Sequence, residues 1–134
     1  MNSYVIDAVA FLSYLADVLP PKSDKIFKMA ELEKNLLILP SIVLGECLYT
    51  IYKGREIFGK TISLENVDLI FKIIRESSAI QLVDMDLEAW EIFNDLKIPE
   101  MHDRIIVATA RNQGVKAIIT TDPEIAKSEM TIWN

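Results

Sequence analysis

The chain is poor in cysteine, in basic residues and in long apolar runs, and each shortage removes a class of protein. A single cysteine, Cys47, among 134 residues leaves no internal disulfide and no zinc–thiolate cluster. A reducing cytoplasm is therefore the expected setting. The 14 bases stand against 20 acids, a formal net charge of −6, which argues against a wide basic face of the kind that coats nucleic acid. It leaves room for a nuclease, because bound divalent cations offset clustered carboxylates. No apolar stretch reaches the ~18–20 residues that span a bilayer, so no membrane association is expected. The apolar N-terminal run is broken by Asp7 and Asp17 and has no basic flank, so no secretory signal is expected. There is no internal repeat and no low-complexity segment. Pro20-Pro21, Lys53-Gly54-Arg55 and Ile98-Pro99 are too short to be linkers. What is present is apolar: 51% of residues are hydrophobic, enough for a substantial core in one domain over residues 1–134.

The chain alternates between strand and helix signals. Tyr4 to Ile6 reads as a short strand, followed by a helix from about Ala8 to Val18 that stops at Pro20-Pro21. Ser23 or Asp24 can cap a second helix running to about Asn35. Leu36 to Leu39 is a second strand, and Pro40-Ser41 turns into a helix ending near Gly54. Ser63 can cap a helix over Leu64 to Glu76, with Val67, Ile70, Phe71 and Ile74 at helical spacing. Ile80 to Val83 is a third strand. Asp86 to about Leu96 is a helix with Leu87, Trp90, Ile92 and Phe93 expected inside, and His102 to Gln113 is the next, closed by Gly114. Lys116 to Thr120 is a fourth strand and Thr131 to Trp133 a short fifth. Continuous apolar strands joined by helices imply a three-layer α/β/α fold on a parallel sheet of four to five strands.

Four acids punctuate the apolar runs: Asp7, Glu46, Asp103 and Asp122. Carboxylates are seldom buried without a cationic partner, and a metal ion is the simplest partner for several at once. Asp7 and Asp122 each follow a strand, on the carboxyl edge where parallel sheets gather ligands. Asp103 shares a helix face with Ile106 and Val107, and Glu46 shares one with Ile42, Val43, Tyr49 and Thr50. All four can converge on one pocket. Singly, Asp7 also suits a helix cap, Asp122 a turn before Pro123, and Asp103 a favourable charge at a helix N-terminus. Glu46 has no such structural explanation.

These segments resemble the PIN domain, a small Mg2+- or Mn2+-dependent ribonuclease fold, along the whole chain. Tyr4-Val5-Ile6-Asp7 is similar to the family's first strand and aspartate, and Glu46 in Val43-Leu44-Gly45-Glu46-Cys47-Leu48 to its helical glutamate. His102-Asp103-Arg104-Ile105-Ile106-Val107-Ala108-Thr109-Ala110 resembles its D-x-x-I-x-A-x-A helix, and Ile118-Ile119-Thr120-Thr121-Asp122 its strand closing in T-x-D. The chain departs from the pattern at Ala8 and Val9, where a hydroxyl or amide often follows the first aspartate. After the last aspartate, where a further acid and then Phe often stand, the chain has Glu124 and, in place of Phe, Ile125. The resemblance implies a metal-dependent endoribonuclease of the kind found as the toxin of VapBC-type toxin–antitoxin pairs. It also implies an RNA substrate, a small VapB-like antitoxin and a homodimer. Asp7 and Asp103 would bind Mg2+ or Mn2+ directly, with Glu46 and Asp122 completing the ligand set and Glu124 an additional candidate. Thr120 would hydrogen-bond the carboxylates or the attacking water, and Arg104 would reach substrate phosphate.

Two other readings compete. A phosphohydrolase using Asp7 as nucleophile wants a second acid two residues on and a dedicated lysine, and Val9 stands where the acid should be. A non-catalytic PIN-fold module that binds RNA or protein is the other. Among remaining residues, His102 reads as surface, Cys47 as core, and Trp90 and Trp133 as packing. Tyr49 and Tyr52 suit a groove or a dimer interface. Lys53, Arg55 and Lys60 form the best local basic patch, either a solvated loop or a phosphate contact.

Overall fold

The computed structural model describes residues 1–134. In chain order the elements are β1 (Asn2–Ile6), α1 (Ala8–Leu15), α2 (Pro21–Glu31), β2 (Asn35–Pro40), α3 (Ser41–Tyr52), α4 (Val67–Glu76), β3 (Ile80–Val83), α5 (Leu87–Asp95), α6 (Met101–Gln113), β4 (Ala117–Ile119), α7 (Pro123–Ala126) and β5 (Thr131–Ile132). The five strands form one wholly parallel sheet in the order β3-β2-β1-β4-β5. Val5 lies opposite Ile38 on one side and Ile118 on the other. The inner strands are apolar without alternation because both their faces are covered, and Val5, Ile6, Leu39 and Ile119 are fully buried. A contiguous core of 28 buried residues runs through sheet and helices. With the right-handed crossovers that parallel sheets adopt, this order sends β1→β2→β3 over one face and β3→β4→β5 over the other. The winding reverses between β1 and β4, which opens a crevice at their carboxyl ends. No helix is long and apolar enough to cross a membrane.

Helix ends differ from the expectations where single residues adopt left-handed backbone. Helix α1 stops at Leu15 and not Val18, because Asp17 takes φ +58° and the Val18 N–H turns back to the Ser13 carbonyl at 2.9 Å. Helix α2 starts at Pro21, whose fixed φ suits a first helical position, and not after a Ser23 or Asp24 cap. Ser23 is buried and donates its hydroxyl to the Trp133 carbonyl. The same helix closes at Glu31, since Glu33 adopts φ +61°. Ser63 caps a single 3-10 turn, Leu64–Asn66, ahead of α4. Helix α7 is an element that four residues of sequence did not announce.

Helix α5 buries only part of the face expected of it. Ile92 and Phe93 pack against the core, but Leu87 is exposed and Trp90 is 45% exposed, and Ala89 is the fully buried residue of the helix. Arg104 provides the attachment between α5 and α6. Its guanidinium donates to the carbonyls of Phe93 and Leu96, both at 2.7 Å, and lies 4.6 Å from the Phe93 ring centroid. These carbonyls are at the C-terminus of α5, where helix backbone acceptors lack intrahelical donors. Substituting Leu for Arg104 leaves the Leu96 carbonyl unpaired and the Phe93 carbonyl with only the Leu96 N–H, at 3.3 Å. The Arg104→Leu protein should lose about 3 kcal/mol in urea unfolding, on the scale of charge-assisted hydrogen bonds to buried acceptors.

Candidate functional site

The crevice between β1 and β4 is where the predicted acids meet. Asp7, Glu46, Asp103 and Asp122 all line one open cleft of about 480 Å3, joined by Glu100 and His102. Each reaches it by a different local device. Asp7 ends β1 and caps α1, accepting the Ala10 N–H at 2.9 Å. Its other oxygen accepts the Thr120 hydroxyl, which couples the ends of β1 and β4. Thr120 in turn accepts the Asp122 N–H at 3.0 Å, and Asp122 caps α7 by accepting the Glu124 N–H at 2.9 Å. Glu100 caps α6 through the Asp103 N–H at 2.8 Å. Asp103 then stands in the first turn of that helix. Glu46 enters from the middle of α3, with His102 Nδ1 3.6 Å from its Oε1.

This crowding makes ionisation costly. Asp7 is only 8% exposed, and burial pushes its carboxyl up to about 6 despite the bonds from Thr120 and Ala10; the charges of Glu46 and Asp122 add to the rise. Asp103 is pushed up to about 7, by burial, by the hydrogen bond its protonated form makes to Asp122, and by the charges of Asp122, Glu100 and Glu46. Burial also raises Glu46, with His102 opposing and Glu100 reinforcing. Glu100 goes the other way: the cost of burial is outweighed by the backbone N–H groups of His102 and Asp103. Cys47, packed under the site with its Sγ 3.7 Å from the Ala8 carbonyl, has its thiol raised by burial and then by the Glu46 and Asp7 charges. It is a core residue, as its sequence context suggests.

The donor set is carboxylate oxygen with one imidazole, which suits a hard cation such as Mg2+ or Mn2+. Glu46 Oε1 is buried in the cleft without a hydrogen-bond partner, an acceptor left open in an otherwise satisfied wall. No three of these groups already stand as a complete ligand cluster for one ion.

Three placements differ from the sequence reading. Arg104 does not face the cleft, because its guanidinium is held at the end of α5. Glu124 turns away and pairs with Lys127 at 2.8 Å, so its carboxylate is not among those gathered. His102 is not simply a surface residue but sits against Glu46. Glu100 went unnoticed because glutamate is an unusual helix cap; its position three residues before Asp103 was the available signal.

The raised carboxyls tie stability to pH. An acid whose folded value lies above its ordinary one favours folding below that ordinary value, and the contribution is lost as pH rises through the folded value. For Asp7 that window runs from 3.8 to about 6 and is on the order of 3 kcal/mol; Asp103 extends it to about 7. In EDTA the protein should therefore melt at a higher temperature near pH 5.5 than near pH 8. The difference should shrink in Asp7→Asn, whose amide keeps the cap and never ionises. Calorimetry of both proteins at the two pH values checks this.

The sequence matches the PIN domain family over residues 4–129. No curated protein matches it significantly. Among solved structures, a chain of VapBC2 from Rickettsia felis, crystallised bound to a DNA fragment from its promoter, superposes with a TM-score of 0.70 at 15% identity, covering 98% of this chain and 99% of that one. VapC20 from Mycobacterium tuberculosis, described as a toxin that cleaves the sarcin–ricin loop, superposes with a TM-score of 0.58 at 14% identity and the same coverage. At such identities the structural likeness speaks to the fold. The match of nearly the whole sequence, together with a wholly parallel sheet that brings four separated acids to one crevice, places the chain in the PIN domain family.

Proposed function

We propose that this protein is a divalent-metal-dependent endoribonuclease that hydrolyses RNA phosphodiester bonds, and that it is the toxin of a VapBC-type pair. In this reading it acts in the cytoplasm as a homodimer, restrained by a small VapB-like antitoxin. The observation that carries the reading is the gathering of Asp7, Glu46, Asp103 and Asp122 in one cleft, with the protons of Asp7 and Asp103 retained toward neutral pH. Such a site has more carboxylate than the fold can keep ionised unaided. The likeness to VapBC2 and VapC20 supports the toxin assignment.

Asp7, Glu46, Asp103 and Asp122 would hold one or two Mg2+ or Mn2+ ions. A bound ion of this kind activates water and offsets the charge developing on a scissile phosphate. The chain's own groups then have separate tasks. Thr120 fixes the orientation of Asp7. Glu100 holds the first turn of α6 and with it Asp103. Asp7 and Asp103 would have to give up their protons to hold such an ion, so metal affinity would rise with pH. His102 stands against Glu46 and lines the same cleft, where it can hydrogen-bond a substrate oxygen.

A second reading is favoured by two observations. The acids are not preassembled as a ligand cluster, and Ala8 supplies no hydroxyl beside Asp7; a PIN-fold module that binds RNA or protein without cleaving it needs neither. One assay separates the two. Purified protein should cleave RNA in Mn2+ and not in EDTA, and Asp7→Asn and Asp103→Asn should each lower the rate by at least ~100-fold, the scale of losing a metal-site group, while remaining folded by circular dichroism. Cleavage that persists unchanged in both variants removes the metal-site assignment. Absence of cleavage by the wild type with intact RNA binding establishes the binding module.

A further inference from the structure

Two cations meet on one aromatic ring at the end of α3. The Lys53 ammonium lies 5.4 Å from the Tyr49 ring centroid and the Arg55 guanidinium 5.7 Å from it, and Tyr49 itself is 54% exposed. Tyr49 and Lys53 follow Glu46 by three and seven positions, so they continue the side of α3 that carries Glu46 into the cleft. At the helical rise Lys53 is about 10 Å along the axis from Glu46. Arg55 is returned to the same ring by Gly54, whose φ of +67° ends the helix, and by its own N–H, which donates to the Thr50 carbonyl at 3.1 Å. Neither cation has a carboxylate partner: the protein's ion pairs are Lys28–Asp24, Arg111–Glu129, Lys127–Glu124 and the His102–Glu46 contact. Lys60, grouped with them by sequence, is engaged elsewhere, donating to the Ala16 carbonyl at 3.2 Å.

This arrangement answers a difficulty of the site. The protein carries a net charge of −6, and six titratable groups, five of them acids, line the cleft. A polyanion approaching it meets repulsion unless fixed positive charge stands nearby. The tyrosine ring holds two like charges against it through its quadrupole. A guanidinium and an ammonium on one ring both suit phosphate oxygens, one as a planar fork and the other as a point charge. Because both cations lie against the ring, Tyr49 is a positioning residue and not a stacking platform for a base.

We propose that Tyr49, Lys53 and Arg55 form a clamp for the phosphate backbone of an RNA strand, holding it to one side of the carboxylate cleft without reading its sequence. The proposal rests on the nuclease reading and assigns the contact that positions the substrate. It is tested by fluorescence anisotropy with a labelled single-stranded RNA of about 20 nucleotides, in the Asp103→Asn background and across roughly 50–200 mM KCl. Lys53→Gln/Arg55→Gln should weaken binding at least tenfold at the low-salt end and flatten the log–log salt slope by about 1.4, the value for two lost phosphate contacts on a single strand. Tyr49→Leu should weaken binding in the same direction, and Tyr49→Phe, which keeps the ring, should bind like its parent. Unchanged affinity and slope in the double variant overturn the clamp; if the otherwise wild-type protein still cleaves RNA in Mn2+, the nuclease reading survives. No RNA binding by the parent protein, with no cleavage by the wild type, removes both. A double variant that goes from dimer to monomer in light scattering, with RNA affinity per protomer unaltered, reassigns the patch to contact between copies and overturns the clamp.

Discussion

The pairing of β1 with β4 is the constraint on which the site depends. These strands are adjacent in the sheet but far apart in the chain, with Tyr4 opposite Ala117 and Ile6 opposite Ile119. Their shared edge is also where the direction of winding reverses, which opens a crevice at the carboxyl ends of the two strands. The Thr120–Asp7 hydrogen bond lies directly above the last paired residues and locks the two strand ends together. Without that register Asp7 and Asp122 would not face one another, and Asp103, delivered by α6, would have no cluster to join.

Around this edge, structure and chemistry use the same atoms. Asp7, Glu100 and Asp122 each accept a backbone N–H at the start of a helix, which orients the carboxylates and satisfies donors that a helix cannot satisfy internally. The orientation is set during folding and so costs little when a ligand arrives. The opposing cost is electrostatic: with so many acids in one cleft, burial and mutual repulsion hold protons on Asp7 and Asp103 well above the ordinary carboxyl range. A dense apolar core, including fully buried Phe11, Val43 and Val107, supplies the stability that tolerates this.

The legibility of the site in the sequence follows the same division. Short apolar strands followed by an acid are local patterns, and they identified β1, β4, Asp7 and Asp122 together with the carboxyl edge they share. Asp103 and Glu46 were visible as acids on apolar helix faces. Arg104 was misjudged because its three-dimensional neighbour, the C-terminus of α5, is set by how α5 docks on α6, which no local pattern encodes. Glu124 followed the family pattern in position but not in direction, because Lys127 one turn later captures it. Helix ends were missed where Asp17 and Glu33 take positive φ without glycine. The outward turn of Leu87 and Trp90 ran against hydrophobicity itself; an apolar residue at helical spacing is only a candidate for burial until its partner surface is known.

The capping role of three acids bears on how such a domain ages. A copy relieved of its chemical duty would still need Asp7, Glu100 and Asp122 to begin α1, α6 and α7, so drift under selection for folding alone would spare them. Glu46 caps nothing, and its buried Oε1 has no hydrogen-bond partner within the fold. It costs the apo protein something and caps no helix in return. Among descendants of this chain, its replacement by a neutral residue would mark a cleft kept for folding alone.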